Sequence, residues 1–190
     1  MSQQTMSSSP APTTAATGVW RVDPDHSRVG FAVRHLGIAT VRGEFTQFDG
    51  TLEIGSDGAA TRAGGSVAVA SIFTHQPMRD EHLRSTDFFD AEQYPSINFG
   101  STRIEPIGDA AFRLTGELTM HGITGEVVLD GVIRGFASDQ FGNERVGLEA
   151  TGEISRADYG ISFNLPLAAG GLLIADRVAL VLDISAIKQS

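Results

Sequence analysis

Residues 28–36 read Arg-Val-Gly-Phe-Ala-Val-Arg-His-Leu. Val29, Phe31, Val33 and His35 share one parity, and Arg28, Gly30, Ala32 and Arg34 share the other, which is the period-two pattern of a strand with one apolar face. The pattern continues outward. VRGEFTQF (41–48) and TLEI (51–54) follow, then SVAVASIF (66–73), entered through Gly64-Gly65, with Val67, Val69, Ser71 and Phe73 expected on one side. INFGSTRI (97–104), FRLTGELTM (112–120), ITGEVVLDGVIRGF (123–136), RVGLEATGEIS (145–155) and DRVALVLDISAI (176–187) alternate in the same way. Ser56-Asp57-Gly58, His121-Gly122 and Phe141-Gly142-Asn143 carry turn chemistry between them. About eight turn-bounded strands predict an all-β antiparallel sandwich or barrel.

Two features favour the barrel. The chain has 22 glycines, and Gly43, Gly100, Gly116, Gly125 and Gly152 fall inside strand patterns, where bends let a sheet curl and close. Aromatic usage is 11 Phe against 2 Tyr and 1 Trp, a choice of apolar bulk over amphipathic rings. A small barrel either fills its interior or holds one ligand. Periodicity does not separate a packed phenylalanine core from a lined cavity.

One stretch breaks the strand pattern: RDEHLRSTDFFDAEQYP, residues 79–95. Pro77 suits a first helical position and Asp80 precedes Arg84 by four residues, so a short helix is expected over 78–85 with those two paired. Asp87 is expected to cap a further turn that points Phe88 and Phe89 to different sides, one of them into the barrel. The insert would then close one end of the barrel, with arginines and histidines at the rim.

At 190 residues the chain suits one domain, residues 19–190, preceded by a Ser/Thr/Ala/Pro-rich tail, residues 1–18, expected to be disordered. The absence of cysteine excludes thiol chemistry and cysteine metal sites. A formal charge of −9 without a basic run argues against nucleic acid as a partner. The first residues have neither a basic n-region nor an apolar h-region, and no window is apolar enough for a transmembrane segment, so a cytoplasmic location is expected.

Seven segments, in order, carry a resemblance: WRVDPDHS (20–27), FAVRHL (31–36), VRGEF (41–45), RDEHLRS (79–85), DFFD (87–90), YP (94–95) and LTMHGIT (118–124). Over residues 19–187 the chain resembles the YceI-like family. The resemblance implies an extended eight-stranded lipocalin-like antiparallel β-barrel with a short helical insert, whose elongated pocket binds a long polyisoprenoid, either a polyprenyl diphosphate or an isoprenoid quinone. It implies sequestration, transport or storage rather than catalysis, no cofactor beyond the lipid, and a homodimer in many members.

On that reading the expected ligand-binding residues are Phe31, Val33, His35, Phe45, Phe73, Phe99, Phe112, Leu114, Leu118 and Leu180 on the strands, with Phe88 and Phe89 from the insert. Arg34, His35, Arg42, Arg79, His82 and Arg84 are candidates for the head group, because guanidinium groups grip phosphate oxygens in bidentate fashion. Arg79 and Arg84 have a plainer alternative, pairing with Asp80, Glu81, Asp87 or Asp90 to hold the insert. Asp23, His26 and Ser27 suggest a hydrolase of lipids or small esters as a second function. No nucleophile elbow surrounds the serine, and a hydrogen bond between Asp23 and His26 across a tight turn is the blander account. His75 and His82 lack metal-ligand spacing, so no metal is expected. Arg156, Asp158 and Tyr159 before Gly160 are read as a structural corner, where a tyrosine hydroxyl can satisfy backbone groups. A third function, a stress-related interaction protein acting through its outer surface, would show a gathered exposed apolar patch.

Overall fold

The computed structural model describes residues 17–56, 59–168 and 170–190. Within them the order is β1 (Gly18–Val22), β2 (Arg28–His35), β3 (Ala39–Phe45), β4 (Phe48–Ile54), β5 (Ala60–Ala68), β6 (Ile72–Phe73), α1 (Pro77–Arg84), β7 (Ser96–Pro106), β8 (Ala111–Met120), β9 (Ile123–Ser138), β10 (Glu144–Ser155) and β11 (Ile174–Lys188). The expected tail lies outside the described residues as far as residue 16, and Gly18 already belongs to β1.

Three short breaks divide what are otherwise single long strands. The 3₁₀ turn Pro24–His26 separates β1 from β2, residues 46–47 separate β3 from β4, and the 3₁₀ turn Val69–Ser71 separates β5 from β6. Each pair of halves stays in line. β1 and β2 both pair with β11, β4 pairs with β1 and β5, and β3 pairs with β2 and β6. The result is an eight-stranded antiparallel barrel in meander order, closed where β11 meets β1 and β2. The His121-Gly122 turn between β8 and β9 has φ of 53° and 73°, the left-handed pair that matches strand twist in a two-residue hairpin. No helix among the described residues is long and apolar enough to cross a membrane.

Alternation sends one face of each strand inward, as on β10 with Val146, Leu148, Ala150 and Ile154, and on β11 with Val178, Leu180, Leu182 and Ile184. Several inward positions are glycine, and phenylalanine covers them. Phe31 lies over Gly43, Phe99 over Gly116 and Phe112 over Gly131. A Cβ at Gly131 would stand 2.4 Å from the Phe112 ring and 2.6 Å from the Glu149 carbonyl oxygen. The ring can move but the carbonyl belongs to the β9–β10 ladder, so the position excludes even a methyl group.

The end of the barrel that holds the start of β1 and the end of β11 is packed by Trp20, 1% exposed, with Ile54, Val146 and Ala186. Lys188 Nζ stands 5.8 Å over the Trp20 ring. Nearby, Arg145 ties two connections together, donating from Nη1 to Asp23 Oδ2 at 2.7 Å and from Nε to Asp139 Oδ2 at 2.9 Å. The hydrogen bond from Arg145 is the main cause that holds the Asp23 carboxyl below its ordinary range. Asp139 is held well below that range, first by the Asn143 side chain and then by Arg145.

Two outcomes are expected. Gly131→Ala should destabilise the fold by ~1–3 kcal/mol in urea denaturation, whereas Gly147→Ala, whose Cβ would meet nothing closer than 3.7 Å, should have little effect. Because Asp23 and Asp139 are depressed in the folded state, their contribution is complete above the unfolded aspartate value of about 3.9. It is lost as pH falls below that value. Stability measured from pH 7 to pH 3 should be flat and then decline, and Arg145→Met should shrink the decline.

Candidate ligand tunnel

The barrel is hollow. A cavity of about 870 Å³ runs along it, from His35 and Leu165 at the end carrying α1 to Ile54, Ala59 and Asp109 at the opposite end. Its wall is built from the inward face of every long strand, and the volume falls within the range of roughly 300–1,000 Å³ typical of small-molecule sites.

Of the residues expected to bind a ligand, Phe31, Val33 and His35 of β2 line this cavity, as do Phe45 of β3 and Phe99 of β7. Phe112, Leu114 and Leu118 of β8 and Leu180 of β11 do the same, and the insert contributes Arg79, His82, Phe88 and Phe89. Four expected residues lie elsewhere. Arg34 is exposed on the outer face of β2, and Arg84 stands on the insert outside the lining. Arg42 is exposed on the outer face, because Val41, Gly43 and Phe45 occupy the inward positions of β3. Phe73 is 38% exposed and packs on the His75 ring at 4.4 Å. The 3₁₀ turn Val69–Ser71 resets the alternation, so that Ile72, opposite Phe45, is buried instead.

The insert differs from its expected form in four ways. The helix begins at Pro77, with the Gln76 side chain accepting from Arg79 N at 2.7 Å. Asp80 does not pair with Arg84. It is 6% exposed and accepts from Thr74 N at 2.9 Å and from the Thr74 hydroxyl. Arg79 clamps the same threonine, donating from Nε to Thr74 Oγ1 and from Nη2 to the Thr74 carbonyl, both at 2.7 Å. Arg84 donates to the Ala70 carbonyl at 3.2 Å. Asp87 caps no turn; its Oδ2 meets His82 Nε2 at 2.8 Å. Phe88 and Phe89 both face the cavity instead of diverging, Phe88 against Phe163 at 5.1 Å and Phe89 against Phe45 at 6.0 Å.

The sequence reading gave the segment between β10 and β11 a structural corner but no part in the cavity wall. Ile161 and Phe163 line the cavity there, and His82 packs on Phe163 with ring centroids 4.9 Å apart. Arg156 lines it too, and is 7% exposed. Its Nε donates to the Ala175 carbonyl at 3.1 Å, and its Nη1 to the carbonyls of Ile161 at 3.1 Å and Phe163 at 2.9 Å. Burial pushes the Arg156 guanidinium down from its ordinary pKa, with the nearby Asp176 acting the other way. The backbone-satisfying role expected of Tyr159 belongs to Arg156. Tyr159 packs its ring over Gly125, and its carbonyl accepts from His121 Nδ1 at 3.0 Å.

Of the residues that suggested a hydrolase, Asp23 and His26 meet across a tight turn, as the blander account expects. His26 Nδ1 meets Asp23 Oδ2 at 2.8 Å, and Ser27 Oγ is engaged by the backbone of Ser185, donating to its carbonyl at 3.1 Å and accepting from its N–H at 2.9 Å. Among the described residues no group of three or more His, Asp or Glu side chains is arranged to hold a metal ion.

A family model for the YceI-like domain matches residues 20–186. The protein YceI of Escherichia coli O157:H7 is 32% identical over 178 residues, covering 92% of this chain and 90% of that protein. BcnA of Burkholderia cenocepacia superposes with a TM-score of 0.74 at 22% identity, over 86% of this chain and 98% of that one. A polyisoprenoid binding domain from Saccharophagus degradans superposes with a TM-score of 0.67 at 15% identity, over 90% of this chain and 98% of that one. These structures share the fold, and the family model spans nearly all of the barrel. The chain belongs to the YceI-like family.

Proposed function

We propose that this barrel binds a long-chain isoprenoid lipid, a polyprenyl diphosphate or an isoprenoid quinone, along its interior, and that it sequesters, carries or stores that lipid without transforming it. The observation that carries the reading is the tunnel itself. It holds about 870 Å³ of space between walls of phenylalanine, leucine, isoleucine and valine, with its ionisable side chains few and mostly at the end carrying α1. Each CH₂ buried there contributes about 0.8 kcal/mol, so an extended hydrocarbon gains affinity in proportion to the length it inserts, less the cost of ordering it. The polyisoprenoid binding domain of Saccharophagus degradans, with the same fold, supports the isoprenoid class.

Organic extraction of the purified protein followed by mass spectrometry is expected to return a long apolar molecule, and the stripped protein is expected to rebind an isoprenoid of that class. A protein that neither yields nor rebinds one removes the proposal. Leu180→Trp places an indole in the void. It should change stability by less than ~1 kcal/mol while lowering affinity for a long isoprenoid by about tenfold or more. A loss of ~1–3 kcal/mol with unchanged affinity would mean that the interior packs solid. Phe89→Asp should weaken binding per folded molecule more than it lowers the melting temperature; the reverse result makes Phe89 ordinary core.

A further inference from the structure

Beyond the ligand of the cavity, we infer that the α1 end of the barrel docks on a zwitterionic lipid bilayer. The surface is formed by Leu36 and Ile38 of the β2–β3 turn and by Leu165 and Leu172 of the arm between β10 and β11. All four are exposed, Ile38 by 82%, Leu172 by 58%, Leu165 by 51% and Leu36 by 41%. The two segments are joined, since Leu36 N donates to the Leu173 carbonyl and Leu173 N to the Leu165 carbonyl, each at 2.9 Å. The arm is itself held in place by a bridge between Pro166 and Leu172 and by Asn164, whose side chain bonds the backbone N–H and carbonyl of Ile174.

Folding does not require these residues to be apolar. Leu36 and Gly37 have φ of 55° and 71°, and Ile38 N donates to the His35 carbonyl at 3.2 Å. A two-residue turn with both φ positive favours asparagine or aspartate before the glycine. Leucine there bears the strain of a left-handed backbone and leaves its side chain exposed. The surroundings carry no charge: no Asp, Glu, Lys or Arg occurs in residues 35–41 or 159–175. Phe141, 79% exposed at the opposite end, lies between Asp139 and Glu144 in a polar turn, the ordinary situation of a lone surface apolar residue.

Gathered apolar residues mark an interaction surface, and two observations make its partner a bilayer. The first is continuity with the cavity. Leu165 is exposed and also lines the cavity wall, beside His35 and Leu173. A guest passing this end therefore meets hydrocarbon instead of water, a consequence that rests on the isoprenoid reading. The second is charge. Arg34 lies opposite Thr40 and Arg42 opposite Ala32, so the two arginines are diagonal neighbours on the outer face of one hairpin. At ~3.4 Å per residue they are rooted about 3 and 10 Å behind its last pair, His35 with Ala39. An interfacial element buries its apolar face about 5–10 Å deep, which brings both to the level of the phosphates. Arg28, Arg113 and Arg134 pair with carboxylates on the next strand. Arg34 and Arg42 have no ion pair among the described residues. Arg21 and Arg62 lack one too, but they stand toward the Trp20 end, on β1 and β5. Guanidinium groups grip phosphate oxygens, while the net charge of −9 repels the whole chain from a strongly anionic surface. The two together select zwitterionic head groups.

The test uses the full chain and vesicles of phosphatidylcholine in a flotation assay. The wild-type protein is expected to float with the vesicles. Ile38→Asp combined with Leu172→Asp should lower the partition coefficient by about tenfold or more. Its melting temperature should not change, since neither residue is buried or lines the cavity. Arg34→Glu combined with Arg42→Glu should lower partitioning to a smaller extent. An indole introduced by Ile38→Trp should shift its emission to the blue on vesicles and be quenched by brominated phosphatidylcholine, and one introduced by Phe141→Trp should do neither. Equal quenching at the two positions, or a wild-type chain that does not float, overturns the proposal. So does a dimer in vesicle-free solution that the Ile38 and Leu172 substitutions split, because the face then belongs to a second copy. Isoprenoid rebinding without flotation refutes the docking alone, and flotation without isoprenoid rebinding refutes the carrier reading alone.

Discussion

Phe31 lies across Gly43, Phe99 across Gly116 and Phe112 across Gly131, each ring standing where a Cβ would otherwise be. These contacts let a closed sheet be both curled and hollow. Glycine in a strand interior removes a side chain that would have filled the middle, at a cost in backbone entropy. A flat ring laid over it restores apolar contact along the wall without reaching across the axis. Phenylalanine suits the task better than tyrosine, since it brings no hydroxyl that would need a partner inside. The aromatic bias of the composition and the glycines within strands are therefore two sides of one device.

The tunnel also has a direction. At one end Trp20 packs with Ile54, Val146 and Ala186, and the Arg145 clamp ties Asp23 to Asp139 outside. At the other end the wall is interrupted by the insert and by the segment that Arg156 holds, where ionisable groups border the cavity beside Phe88 and Phe163. Polar groups there are fixed by neighbours on the insert itself, as with Thr74, Asp80 and Arg79. Groups fixed in this way hold the shape of that end of the cavity, which reduces the ordering cost of filling it.

Most of the barrel was legible because alternation is a local property. From β2, β8, β10 and β11 the inward residues follow by parity alone, and they line the cavity. Parity fails where a strand is interrupted by a 3₁₀ turn, which is why Phe73 ended outside and Ile72 inside. Arg42 was chosen for its chemistry against its parity, and parity won. Arg156 was legible as part of a structural corner with Asp158 and Tyr159, but its place in the cavity wall was not, because nothing in its neighbours indicates that three carbonyls from residues 161, 163 and 175 converge on it. That convergence is a tertiary fact. The insert was recognised as a helix closing one end, but its internal bonds were misread, because Thr74 lies upstream of the helix and competes for Asp80 more closely than Arg84 does.

A hollow interior has an energetic consequence that ties the parts together. Side chains facing the void lack partner atoms on that side, so they forgo dispersion contacts that a packed core would provide. The fold offsets this with a hydrogen-bonded ladder that closes on itself and leaves few unpaired edges. A guest that fills the void supplies the missing contacts to the folded chain alone, and so stabilises it by mass action. The wall glycines, the ring placements and the fixed polar groups at the α1 end thus keep a space whose filling strengthens the barrel. Occupancy and stability become one coupled quantity in a way that no solidly packed barrel of this length would permit.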